Sequence, residues 1–211
     1  RERMVEDLIR IIGLEILLFA FLLPILFRTA RGSLLPLLVV VGAVVLNFGW
    51  MSLLGLPFAI IDIAIPGLIV IIGLCDAIHM IHRFEEEYAT GAERLQAIST
   101  MVSKVGRACF YTSFTTAVGF LSLLATDHAT VQAFGVKAAA SVGLTFVVVV
   151  TLIPAGLAVW PIKRPVAARH VRVGWLGYAR PGLTTMITVA IVLLAGLGIS
   201  KVNVNSYLLE E

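Results

Sequence analysis

The sequence predicts an all-α polytopic membrane helix bundle, with about six transmembrane helices plus a cytoplasmic amphipathic helix. Three observations carry that prediction. The chain has 211 residues, of which 59% are hydrophobic and 14% charged, with a mean hydropathy of +1.00. Soluble domains are about 45–50% apolar and about 25% charged. Crossing a bilayer takes about 17–25 mostly apolar residues, and six runs qualify: Ile9–Phe27, Leu34–Leu54, Ile60–Ile81, Ala108–Ala125, Phe134–Trp160 and Gly182–Ile199. Third, the basic residues fall in alternate connections. Arg28 and Arg31 follow the first run, Arg83, Arg94, Lys104 and Arg107 follow the third, and Lys163, Arg164, Arg169, Arg172 and Arg180 follow the fifth. The connections Gly55–Ala59 and Thr126–Ala133 carry no Lys or Arg. The positive-inside rule makes the basic loops cytoplasmic and puts both chain ends outside. Lys137, just inside the fifth run on the outer side, does not fit that pattern.

The runs leave little sequence for a soluble domain, and Arg83–Arg107 is the one long connection. Arg1 opens the chain and "KVNVNSYLLEE" closes it on polar residues. The expectation is a piece of a longer polypeptide. No secretory signal pattern precedes the first run. Cys75 and Cys109 lie in or beside apolar runs, where small packing residues are expected rather than a disulfide. No basic–aromatic interleaving points to nucleic acid, no cofactor is implied, and the chain is not expected to be an enzyme.

In the first run, Arg10 and Glu15 are five apart, too far for an i,i+4 pair, and read as interfacial residues or as part of a lateral groove. The second run holds Asn47 and Ser52 and ends at the turn signal Gly55–Pro57. The third begins near Asp62, read as facing a loop, with Pro66–Gly67 a turn later. Between the third and fourth runs, Leu95, Ile98, Val102 and Val105 recur at helical spacing, which suits a helix lying on the membrane surface. The fourth run gathers Thr112, Ser113, Thr115 and Thr116, whose hydroxyls can bond their own helix or a neighbour. The fifth contains Ala139-x-x-x-Gly143, a small-residue packing pattern, and Pro154, expected to kink it.

Asp76 is the residue composition cannot explain. A carboxylate in hydrocarbon costs at least about 2.5–3.5 kcal/mol and is a functional hypothesis by default. It stands seven residues before Arg83, about 10 Å at ~1.5 Å per residue. Counted from Arg107, Thr112 lies about 7.5 Å in and Thr116 about 13 Å in, so acid and hydroxyls share a level. His79 and Met80 follow Asp76 at i+3 and i+4, with Arg83 a turn below. A carboxylic acid with hydroxyl partners (Thr112, Thr115, Thr116) and an imidazole (His79) toward the cytoplasm has the parts of a proton relay. The other reading is a neutral acid holding helices together. A metal site from Asp76, His79 and His82 is set aside, because i, i+3, i+6 spacing does not bring the three onto one ion.

These residues resemble a known family. "GLCDAIHMIHRFEEE" (Gly73–Glu87) looks like the acid-bearing span of the resistance-nodulation-division (RND) superfamily, in its mycobacterial-membrane-protein-large (MMPL) and Patched/sterol-sensing branch. The stretch from Gly106 to Leu157 is similar to its second block, with the Thr/Ser-rich helix running into Gly119–Phe120, then Phe134–Gly135, then Leu152–Pro154. The resemblance implies a twelve-span protein of two similar halves. Residues 1–162 would be the first-half bundle (spans two to six, sterol-sensing-like), 163–181 a cytoplasmic linker, 182–199 the first span of the second half, and 200–211 the start of a second extracytoplasmic domain. It further implies proton-motive-force-driven export of hydrophobic or lipid-like molecules across a cell inner membrane, with both fragment ends extracytoplasmic and Asp76 as relay. Partners would be membrane lipids, an amphiphilic substrate and the missing half of the polypeptide, with homo-oligomerisation left open. Where relatives pair Asp-Asp or Asp-Tyr, this chain has Cys75 before Asp76, and it has Ile71 where Patched-like relatives have Gly. Asp76 is a single acid. A lipid-binding sterol-sensing-like regulatory module without transport, and a structural six-span scaffold, are the alternatives.

Overall fold

Four helices among the described residues are long and apolar enough to cross a membrane: Ser33–Leu53, Ile60–Ala89, Arg94–Ala125 and Ala129–Val159. The computed structural model describes residues 30–159 throughout, nine positions between Ile9 and Phe21, and eight between Gly182 and Leu193. The described positions in both flanking stretches are helical. Most of the first and sixth predicted spans, the linker and the closing segment lie outside the described residues. The chain divides into two units, residues 1–168 and 169–211. The first holds the bundle, and every described residue between them in it is helix or short connection. The fold is an all-α membrane bundle.

In chain order the elements are α1 (Ala30–Leu53), a 3-10 turn (Ile60–Ile63), α2 (Ala64–Ala89), α3 (Arg94–Met101), a π turn (Val102–Gly106), α4 (Arg107–Leu121), a second 3-10 turn (Ser122–Ala125) and α5 (Ala129–Val159). The predicted spans match the helices at their apolar centres and fall short at their polar ends. α2 continues through the charged "HRFEEE" to Ala89, because Arg83 bridges Glu86 and Glu87 one turn on, with Nη1 2.9 Å from Glu86. The expected long connection is therefore a turn at Thr90–Glu93, made possible by Gly91 at φ +99°. Such a φ is open to glycine at little cost.

The helix expected between the third and fourth spans is α3, Arg94–Met101, and it continues without a break through the π turn into α4. It buries Ala97, Ile98 and Met101, while Leu95, expected on its apolar stripe, is exposed. Arg94 Nε donates to the Leu157 carbonyl, 2.7 Å away, and so satisfies a free acceptor at the end of α5.

α5 packs against α1, α2 and α4. Lipid tails are as apolar as leucine, so close backbone approach and buried polar bonds decide how such helices associate. Gly135 faces the Phe120 carbonyl so closely that a Cβ would sit 2.6 Å from it. Gly73 lies between Thr145 and Val40, and Gly156 lies under Leu35. At the expected packing glycine, Gly143, an added Cβ would meet nothing within 4 Å, so the close approaches are made at Gly135 and Gly156 instead. Asn47, fully buried, donates to the Ala43 carbonyl at 2.9 Å and to Thr145 Oγ1 at 3.3 Å, fixing α1 to α5.

Lys137 and Asp62 explain each other. Asp62 is not loop-facing; it is 0% exposed, and Lys137 is 5% exposed. Lys137 Nζ donates to Asp62 Oδ2 and, at 3.1 Å, to the Pro57 carbonyl. The same Oδ2 accepts the Ala59 N–H at 2.7 Å. One ammonium thus holds the Gly55–Ala59 connection and the first turn of the next span against α5. Breaking a buried pair strands a charge and costs about 3–5 kcal/mol, whereas replacing both partners costs far less. Lys137→Met is expected to lose about that much in reversible detergent unfolding, and Asp62→Asn/Lys137→Met to recover most of it. A Lys137→Met variant within about 0.5 kcal/mol of wild type would show that the pair carries no stability.

Candidate functional site

A stripe on α2 at helical spacing, Ile72, Cys75/Asp76, His79, His82/Arg83 and Glu86, faces a matching stripe on the π turn and α4: Val105, Ala108/Cys109, Thr112 and Thr116. Between them lies an open cavity of about 630 Å³. The opposite face of α2, with Leu74, Ala77, Met80, Ile81 and Phe84, is core. Met80, expected beside Asp76, therefore points away from it, while His79 is exposed and lines the cavity.

Asp76 is 6% exposed. Its neighbours are the Cys109 thiol and the Ser113 hydroxyl from α4, and His79 from its own helix. Asp76 Oδ2 and Ser113 Oγ are both buried, and neither has a hydrogen-bond partner. An unanswered buried acceptor costs about 1–3 kcal/mol, so the carboxylate is poised to accept a proton or a donor. Among the other lining residues, Arg83 is held by Glu86 and Glu87, and His82 Nε2 lies 3.5 Å from Glu86.

The hydroxyl cluster is arranged differently from the expectation. Thr112 donates to the Cys109 carbonyl at 2.9 Å, Thr116 to the Thr112 carbonyl at 2.7 Å, and Thr115 to the Tyr111 carbonyl at 2.9 Å. Each spends its proton on its own helix. Thr112 and Thr116 line the cavity with Asp76 and His79, and Thr115 does not. The two groups that face the acid are Ser113, expected in the hydroxyl cluster but not as a relay member, and Cys109, expected only to pack. Their signal was present in the spacing: Val105, Cys109, Thr112, Ser113 and Thr116 repeat at three and four, one helical stripe. Among the described residues, no group of three His, Cys, Asp or Glu side chains is placed to share a metal ion.

The π turn matters to this geometry. A π turn absorbs one extra residue and recurs at functional sites, and this one ends two residues before the cavity-lining stretch of α4. Deleting Ser103, exposed within the π turn, leaves the faces beyond it unchanged. Deleting Ala108 turns Cys109 by about 100°.

A polytopic α-helical membrane bundle with a buried carboxyl, Asp76, on a cavity is the class defined by fold and site. The family model for the Patched sterol-sensing domain (Patched SSD) matches residues 18–159, and the chain belongs to that RND-related family. The Methanocaldococcus jannaschii protein named "Putative membrane protein MJ1562" is 36% identical over 145 residues, 69% of this chain. The chain spans 36% of that relative's length.

The π-turn argument is checked in a Cys75→Ser background by maleimide labelling of Cys109 in membranes. Labelling is expected to stay slow on deleting Ser103 and to rise roughly tenfold on deleting Ala108, as the thiol leaves its buried position. Equal rates for both deletions would sink the register assignment.

Proposed function

We propose that the full-length protein exports hydrophobic or lipid-like molecules at the expense of a proton gradient, with Asp76 as the proton-carrying group. The observation that supports this most is the placement of Asp76: buried in the wall of a cavity that His79, His82, Arg83 and Glu86 also line. Protonation removes the charge, and with it most of the cost of shielding the group from water. The seam between α2 and α4 can then close over a neutral acid and must reopen for an ionised one. His79, at the exposed edge, hands protons between the mouth and Asp76. Thr112 and Thr116 have donated their own protons to helix carbonyls and offer lone pairs to a proton moving along the wall. Ser113 and Cys109 hold the far side.

On this reading the protein lies in a cell inner membrane, the basic connections and the His79–Glu86 end of the cavity face the cytoplasm, and both ends of this stretch lie outside. Substrate passes through parts of the longer polypeptide, and membrane lipids are its surroundings. A second reading, a lipid-binding sterol-sensing module that regulates without transport, draws on the family match itself. Proton flux discriminates between them.

The test uses the full-length protein in vesicles with an entrapped pH dye and an imposed proton gradient. Asp76→Asn is expected to lower protein-dependent flux at least about tenfold, equivalent to about 1.4 kcal/mol or more, and Ser113→Ala to lower it partially. Thr115→Val, outside the cavity, is expected to leave flux unchanged. Wild-type flux in Asp76→Asn would overturn the relay, and the absence of flux in the wild type would favour the regulatory reading.

A further inference from the structure

Two thiols that the relay does not use as proton carriers share its cavity. Cys75 on α2 is exposed, whereas Cys109 on α4 is only 5% exposed. Both line the cavity of about 630 Å³, from the two stripes that face each other across it. Asp76 and Cys75 are the charge-bearing neighbours of Cys109. α2 and α4 each pack on α5, and at this level the cavity parts them. Among the described residues no group of three His, Cys, Asp or Glu side chains forms a metal site, so the two thiols are not part of one.

The difference in exposure suits a stepwise oxidation. A thiol is oxidised according to its access, and the sulfenic acid so formed condenses with a thiol beside it. Cys75 meets an oxidant in the cavity first, and Cys109, shielded, meets only Cys75. We propose that Cys75 and Cys109 form a reversible disulfide under hydrogen peroxide, a redox-sensitive clamp on the seam between α2 and α4. In the first step the Cys75 sulfur attacks one peroxide oxygen and the O–O bond breaks. The thiol proton leaves with the departing hydroxide as water, and Cys75 is a sulfenic acid. In the second step the Cys109 sulfur attacks the Cys75 sulfur and the S–O bond breaks. The Cys109 proton leaves with that hydroxide as a second water. The two thiols together lose two electrons, and the peroxide gains them. A disulfide needs Cα atoms about 4.4–6.8 Å apart, so the bond sets the width of the cavity at the turn that carries Asp76. It also removes the thiol proton beside the Asp76 carboxyl. Where thiols are kept reduced, the disulfides that do form are usually transient and redox-sensing or catalytic.

The pairing stands without the proton-relay reading, while its effect on flux rests on it. In the experiment the full-length protein in lipid vesicles is treated with hydrogen peroxide and remaining thiols are blocked with N-ethylmaleimide. Peptides are then mapped by mass spectrometry, with and without dithiothreitol. A linked pair of peptides, one holding Cys75 and the other Cys109, is expected with peroxide and should disappear with dithiothreitol. In Cys109→Ala the sulfenic acid has no partner, and its trapping at Cys75 by dimedone should rise roughly tenfold over wild type. In Cys75→Ser, Cys109 should stay a free thiol. Peroxide should lower wild-type proton flux roughly tenfold and dithiothreitol should restore it, whereas flux through Cys75→Ser should not respond to peroxide. Absence of the linked peptides, oxidation of Cys109 without Cys75, or linkage that leaves flux unchanged would each overturn the proposal. A reduced wild type without flux is a failure of the relay alone, and the linked peptides then decide the clamp.

Discussion

Water is absent from the hydrocarbon core, so every polar group there must find its partner inside the protein. That constraint organises the bundle. Asn47 is answered by Ala43 and Thr145, Thr112 and Thr116 by carbonyls of their own helix, and Lys137 by Asp62 and Pro57. The satisfied groups sit where helices must hold one another. α1 is fixed to α5 through Asn47, and the Gly55–Ala59 connection to α5 through Lys137. The buried atoms left unanswered include Glu15 Oε2, Asp76 Oδ2 and Ser113 Oγ. Glu15 and Asp76 line cavities, and Ser113 faces the Asp76 carboxyl. Ser141 Oγ is also unanswered, and nothing in the structure explains it.

The spans were legible in the sequence because the bilayer demands a length and an apolar content that composition alone displays. Asp76 was legible for the same reason, as a violation of that composition. What could not be read was which groups answer each other. Asp62 and Lys137 stand 75 residues apart, and each taken alone looked like an odd charge at a helix end. Their pairing depends on how α2 packs on α5, and local spacing carries no trace of that. The threonine cluster misled in the opposite direction. Hydroxyls at Thr112, Thr115 and Thr116 suggested partners for the acid, but a helix offers them its own carbonyls first. Cys109 and Ser113 face Asp76 because of register, and the register passes through a π turn that no periodicity in Val102–Gly106 announces.

Family membership fixes the architecture more firmly than the chemistry. Where the resemblance implied a second acid or a tyrosine beside Asp76, Cys75 stands instead, and it lines the same cavity. A thiol does not replace a second carboxylate as a carrier of charge near neutral pH. The proposed relay therefore moves one proton per Asp76 in this half, and the groups that tune it come from α4: a thiol and a hydroxyl, both neutral.

The two cavities are consecutive openings along one seam. α2 and α4 line both, with Gly67 and Phe120 at one level and Asp76, Cys109 and Thr112 at the other. Gly67 and Asp76 are nine residues apart, about 13.5 Å along the helix. Ile71 stands between them and touches both cavities. At its Gly67 end the seam is braced by the Gly135–Phe120 contact between α5 and α4, and by the Lys137–Asp62 pair that fixes the start of α2's span. The free end is at the π turn, where the helix hydrogen-bond pattern is already loosened. A rotation or tilt of α4 against its contact at Phe120 changes the width of the Asp76 cavity most and the Glu15 cavity least.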